Sequence, residues 1–198
     1  MKSYPFIHVD AELRNAVEAD VIAGAVLIAA GGAGRRHEFA VGRAQITPLE
    51  RPLSSSTSFD LASLTKVLAT TWLAMKLSVA GRLDLDAPLE NLLPGYYPTD
   101  KRSLTVRLLM CHAAGLPSGL RLRDDLPPDA GGTAPRRSVI ERFLEAPIVV
   151  EPGRQTLYSD IGPILVGDLL ERLTLIGLAR LDAICADELY APLGLRDT

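Results

Sequence analysis

Between residues 63 and 80 the chain carries Leu64, Val67, Leu68, Trp72, Met75 and Leu77 at helical spacing, and Gly81 is placed to end the helix. A helix that is apolar on nearly every side belongs inside a fold, so this stretch predicts a domain built around it. Two lysines interrupt the pattern. Lys76 lies near the C-terminal end, where a cation complements the helix dipole or reaches solvent. Lys66 lies in the first turn, where the dipole opposes a cation; burial and dipole together predict a lowered ammonium pKa, which suits a base. A lysine snorkelling from a helix end is an equal reading of this segment alone. Ser63 precedes Lys66 by three positions, so on a helix the amine reaches the hydroxyl. A serine hydroxyl is a poor nucleophile at neutral pH without such a base. Two fixed positions in four recur by chance, so the surroundings decide what Ser63-Leu64-Thr65-Lys66 means.

Ahead of this stretch, residues 6–19 place Ile7, Leu13, Ala16 and Val17 on one face of an amphipathic helix. Residues 21–30 read as a buried strand, Gly31-Gly32-Ala33-Gly34 as a turn, and 37–43 as the returning strand of a hairpin. The glycine cluster is not a phosphate loop: its spacing fits neither dinucleotide nor P-loop patterns, and a strand follows it. Residues 44–58, with Pro48, Pro52 and three successive serines, form a connector. Beyond Gly81, short helices are expected over 103–113, 138–145, 162–174 and 178–190, several opening on serine or proline. Residues 121–134 read as a long loop. No period-two pattern follows residue 160. The chain is therefore read as α+β, with a helix and hairpin over 1–58 and a mainly helical region over 59–198.

Composition narrows the function. With 198 residues, 47% hydrophobic and 23% charged, the chain is globular and large enough for a sizeable core. A net charge of −3 gives no electrostatic reason to bind nucleic acid or an anionic membrane. Cys111 and Cys185 match no disulfide, redox or metal spacing and are read as buried free thiols; no metal or cofactor is expected. The N-terminus lacks a secretory core, and the apolar run at 21–30 is too short to span a bilayer. As written, the chain reads as cytoplasmic, or as periplasmic or secreted if an N-terminal segment was removed.

A second constellation, Glu151-Pro152-Gly153 followed by Tyr158-Ser159-Asp160, leads into the helix expected near Gly162. Tyr158 at such a loop-to-helix junction either packs its ring with the hydroxyl in water or offers its phenol to a site, where a neighbouring lysine cation lowers its pKa. Taken together, five segments resemble the serine beta-lactamase and penicillin-binding-protein superfamily, in its class C-like branch of esterases and D-amino-acid peptidases. They are Phe59 to Lys66; Gly81-Arg82-Leu83-Asp84-Leu85-Asp86; Leu108-Leu109-Met110-Cys111-His112-Ala113-Ala114-Gly115-Leu116; the 151–160 stretch; and Pro192-Leu193-Gly194-Leu195-Arg196-Asp197-Thr198.

The resemblance implies a beta-lactamase-like (DD-peptidase/transpeptidase-like) fold. It also implies an acyl-enzyme mechanism with Ser63 as nucleophile, Lys66 as proton acceptor and Tyr158 as proton shuttle. The expected substrates are small esters, amides or D-amino-acid peptides. Asp160 stands where the family commonly has asparagine, at a substrate-binding position; a carboxylate there accepts from Lys66, raises its pKa, and cannot donate to a substrate carbonyl. His112, Asp84 and Asp86 are structural positions by the same resemblance. The family's Lys/His-x-Gly strand does not follow Tyr158, and relatives continue through further strands and a C-terminal helix, so the chain reads as the N-terminal part of a larger hydrolase. The rival expectation is a catalytically silent binding or assembly module, or one half of a split protein that holds its missing C-terminal half.

Overall fold

The computed structural model describes residues 6–32, 34–120, 136–175 and 180–195. The loop expected over 121–134 and the end segment 196–198 lie outside them. The chain divides into two compact units, residues 1–60 and 61–198.

In the first unit, helix α1 (Ile7–Glu18) precedes an antiparallel hairpin of β1 (Gly24–Ala30) and β2 (Arg36–Gln45). The register runs from Gly24 opposite Gly42 to Ala30 opposite Arg36. The Gly31 N–H donates to the Arg35 carbonyl at 2.8 Å and closes the turn. The expected connector holds one further element, a two-residue strand β3 (Arg51–Pro52) paired with β2. Its proline gave the sequence no strand signal, and an edge is where a proline strand is tolerated. α1 is fastened to β2 by polar and aromatic contacts: Phe6 stacks on the His37 ring at 4.8 Å, and His37 Nε2 lies 2.9 Å from Asp10 Oδ1. No residue of α1 is fully buried.

The second unit holds the core. The expected helix from residue 63 begins as a wide π-type turn (Lys66–Thr71) and continues as α2 (Trp72–Val79). α3 (Leu89–Leu92), α4 (Val106–Met110), α5 (Arg136–Glu145), α6 (Ile161–Leu175) and α7 (Leu181–Cys185) follow. α7 runs on through a second wide turn (Ala186–Tyr190) into α8 (Ala191–Leu193). α4 is shorter than expected. Thr105 caps it, its Oγ1 accepting from the Leu108 N–H at 3.2 Å, and beyond the C-terminal cap Cys111 the chain turns at His112, in the left-handed region at φ 56°.

The expected central helix is displaced by another. α2 buries Leu73, Ala74 and Leu77, yet Leu64, Val67, Leu68, Met75 and Val79 remain exposed. The most deeply buried helix is α6, whose Ile161, Leu165, Val166, Leu169 and Leu170 recur at one-turn intervals and pack with Leu73, Leu109 and Phe143. Gly162 permits this packing, because a Cβ there would sit 2.6 Å from the Leu109 carbonyl oxygen. Of the two cysteines, Cys185 is buried as expected and Cys111 is exposed, a correction to the sequence reading. Cys111 is the residue that ends α4, so its side chain leaves the packed face. Lys76 pairs with Glu188 and lies 5.3 Å over the Trp72 ring. Among the described residues no helix is long and apolar enough to cross a membrane.

Candidate active site

Ser63 sits in the tight turn that starts the lysine helix. Leu64, Thr65 and Lys66 donate their N–H groups to the carbonyls of Leu61, Ala62 and Ser63 at 2.8, 3.1 and 3.2 Å. Ala62, just before the serine, is held at φ 44°, a conformation that a residue with a Cβ adopts only under strain. Thr71 Oγ1 donates to the Lys66 carbonyl at 2.8 Å across the wide turn. Lys66 Nζ then donates to Ser63 Oγ at 3.1 Å, the contact that the three-residue spacing predicts.

Tyr158 arrives from the other side of the unit. Its phenol donates to Ser63 Oγ at 2.9 Å, and its ring centroid lies 5.3 Å from Lys66 Nζ. Asp160 Oδ1 lies 2.7 Å from Lys66 Nζ. The four site residues singled out in the sequence, Ser63, Lys66, Tyr158 and Asp160, are thus brought together, although 95 positions separate Ser63 from Tyr158.

What places Tyr158 is a ladder between residues 112–118 and 148–160. The N–H groups of Val149, Gly153 and Leu157 donate to the carbonyls of Gly115, Ala113 and His112, each at 2.8 Å. Asp160 N–H donates to Ser118 O at 2.9 Å, and Ser159 Oγ donates to Pro117 O at 2.6 Å. Gly115 is required here: it sits at φ 73°, and a Cβ on it would fall 1.9 Å from the Val150 carbonyl oxygen. His112 Nδ1 accepts from the Ser159 N–H at 3.2 Å, and its ring packs against Tyr158 with centroids 4.5 Å apart. Sequence reasoning set His112 aside as structural and passed over Ser159 and Thr71. No spacing rule marks a residue that acts by orienting a neighbour from a distant segment. Asp86 grips Arg107 through two contacts, at 2.6 and 2.7 Å, and Asp84 Oδ1 accepts from the Asp86 N–H, so that acidic pair is a loop brace.

The electrostatics decide between two expectations for Lys66, lowering by burial and the helix dipole and raising by the Asp160 carboxylate. Its pKa lies above the ordinary value, because that carboxylate hydrogen-bonds the ammonium and outweighs the effect of burial. Tyr158 is lowered, first by its hydrogen bond to Ser63 and then by Lys66. The pair therefore favours a lysine cation beside an acidified phenol. Among the described residues no group of three or more metal-ligating side chains is assembled.

A fold with a small antiparallel sheet, a mainly helical unit and a serine, lysine and tyrosine in mutual contact defines a class. The Beta-lactamase family model matches residues 9–198, and the chain belongs to that family. It is 35% identical over 160 residues to an N-acetylmuramyl-L-alanine amidase of Bacillus subtilis, an alignment covering 76% of this chain and 35% of that protein. The chain thus spans about a third of that relative's length. A D-amino acid amidase from Ochrobactrum anthropi, solved with L-phenylalanine, shares the fold at a TM-score of 0.74 and 22% identity, covering 94% of this chain and 51% of that one. A class C beta-lactamase mutant matches at a TM-score of 0.68 and 20% identity, covering all of this chain and 51% of that one.

Proposed function

We propose that this chain carries the nucleophilic half of a serine hydrolase that works through an acyl-enzyme on small amides, esters or D-amino-acid peptides. The observation that carries the reading is the double contact on Ser63 Oγ, 3.1 Å to Lys66 Nζ and 2.9 Å to Tyr158 Oη. A nucleophile, a base within hydrogen-bond reach and a group orienting that base are the three parts such chemistry needs.

The charges assign the roles. Asp160 keeps Lys66 protonated, which disfavours it as the first proton acceptor, while the lowered Tyr158 is suited to accept. Once ionised beside the Lys66 cation, Tyr158 takes the Ser63 hydroxyl proton as Oγ bonds to the substrate carbonyl carbon. The tetrahedral centre then collapses, the carbon–nitrogen or carbon–oxygen bond breaks, and Tyr158 returns the proton to the leaving amine or alcohol. Water repeats the sequence: Tyr158 takes its proton, the hydroxide adds to the acyl carbon, and Ser63 Oγ leaves with that proton. The Ser63 backbone N–H, in the turn opening the helix, is suited to face the developing oxyanion. The amidase relative supports amide cleavage as the reaction type.

The test is active-site labelling. A fluorophosphonate added to the full chain is expected to leave one covalent adduct, located at Ser63 by peptide mass spectrometry. Ser63→Ala is expected to abolish it, and Tyr158→Phe to slow labelling by about 100-fold or more. No adduct on the wild-type chain would sink the reading and leave the silent binding module in its place.

A further inference from the structure

We propose that Asp160 is the receptor for a positively charged amine on the substrate, so that the site takes amides or esters whose acyl part bears a free α-ammonium. This rests on the acyl-enzyme reading above and names the substrate class for it.

The Asp160 carboxylate pairs with Lys66 through one oxygen and does not cap its own helix. An aspartate at a helix start ordinarily caps the first N–H groups. Here the Ile161 N–H donates to Ser159 Oγ at 3.2 Å instead. The Asp160 backbone is fixed at both ends, its N–H on Ser118 O at 2.9 Å and its carbonyl accepting from the Ile164 N–H at 3.3 Å. Its side chain is thereby aimed at Lys66 while staying 55% exposed. An ionised carboxylate has about four acceptor positions, and the Lys66 contact uses one oxygen. The exposure of the side chain leaves the other positions accessible to a ligand.

Charge points the same way. Among the described residues, the charged groups that perturb Lys66 and Tyr158 are one another and Asp160. The Lys66 cation is already matched by a carboxylate, and ionising Tyr158 makes the cluster net negative. An anionic substrate meets no surplus cation there, whereas an ammonium meets a surplus acceptor.

Reach is sufficient. Two hydrogen-bond-length contacts in series place Asp160 Oδ1 within about 6 Å of Ser63 Oγ. An α-nitrogen lies two bonds, about 2.5 Å, from the carbonyl carbon. That carbon waits about 3 Å from Oγ before attack, so the ammonium comes within about 5 Å of Oγ, in the same shell as the carboxylate.

Three p-nitroanilides of D-alanine separate the possibilities: the free amine, the N-acetyl form and the N-succinyl form. Acylation of Ser63 and kcat/KM are measured for each, with the wild-type chain, Asp160→Asn and Asp160→Glu. The wild type is expected to prefer the free amine over the acetyl form by about tenfold, the size of one charge-assisted hydrogen bond, and to handle the succinyl form worst. Asp160→Asn is expected to bring the amine-to-acetyl ratio near one, and Asp160→Glu to restore it. Equal rates on the amine and acetyl forms in the wild type overturn the proposal while leaving the serine-hydrolase reading standing; so does a preference unchanged in Asp160→Asn. If Asp160→Asn fails to fold, Asp160→Ser makes the same comparison. No acylation by any of the three, nor by fluorophosphonate, overturns both.

Discussion

Ser63, Lys66, Tyr158 and Asp160 are linked in a chain of contacts, Tyr158 to Ser63, Ser63 to Lys66 and Lys66 to Asp160, whose settings are readable in pH dependence. In the proposed mechanism the rate rises as Tyr158 loses its proton, below the ordinary tyrosine pKa, and falls as Lys66 loses its own, above the ordinary lysine pKa. Asp160 raises both groups, Lys66 most strongly through their hydrogen bond. Asp160→Asn is therefore expected to move both limbs of the kcat/KM profile to lower pH, the alkaline limb further. A profile with an unmoved alkaline limb contradicts that assignment. At this scale the sequence was informative where a local rule applied: three residues on a helix brought Ser63 and Lys66 to 3.1 Å. It left the sign of the Lys66 shift open, with the local helix dipole and burial pulling one way and the distant Asp160 the other, and the 2.7 Å contact decides for Asp160. His112 was read only as structural, and the structure adds what it orients, Ser159 from 47 positions away, and what it packs on, Tyr158.

Among the elements, the ladder between 112–118 and 148–160 decides where Tyr158 stands. Gly115→Ala forces a Cβ onto the Val150 carbonyl at a left-handed backbone position, and is expected to cost more than about 2 kcal/mol. It should also slow Ser63 labelling, since the strand of backbone that carries Tyr158 shifts with it. Chemical denaturation and labelling rates check both effects. Thr105→Ala removes the cap of α4 and is expected to cost only about 1 kcal/mol, with labelling nearly unchanged. The contrast separates a glycine that builds the site from a threonine that only starts a helix. Unlike the one-turn α3, which was not among those expected, the longer helices of unit two were legible, because apolar residues at one-turn spacing mark them. The rank order of burial was not: α2 and α6 are both apolar, and only the close approach at Gly162 shows which one the core surrounds.

For the whole molecule, stability is distributed unevenly. Every fully buried hydrophobic residue among those described lies at Ala69 or beyond, while α1 and the hairpin contribute none. A three-stranded sheet with a thin apolar face opens easily, whereas a packed helical core opens only with global unfolding. Amides of β1 and β2 are expected to exchange with deuterium at least about tenfold faster than those of α6. Leu169, fully buried in α6, anchors the core; Leu169→Ala is expected to cost about 2–5 kcal/mol and to lower α6 protection without altering that of the hairpin. Equal loss of protection in both regions would show the two units to be one cooperative block. The sequence by itself determined the longer helices, the hairpin and the family, and singled out four candidate site residues, since periodicity, turn chemistry and motif spacing are written along the chain. Only the tertiary structure decided that the pull of Asp160 on Lys66 outweighs burial, and that α6 is the core. Each of these depends on groups far apart in sequence meeting at about 3 Å, where Coulomb and packing energies are set by distance and not by order.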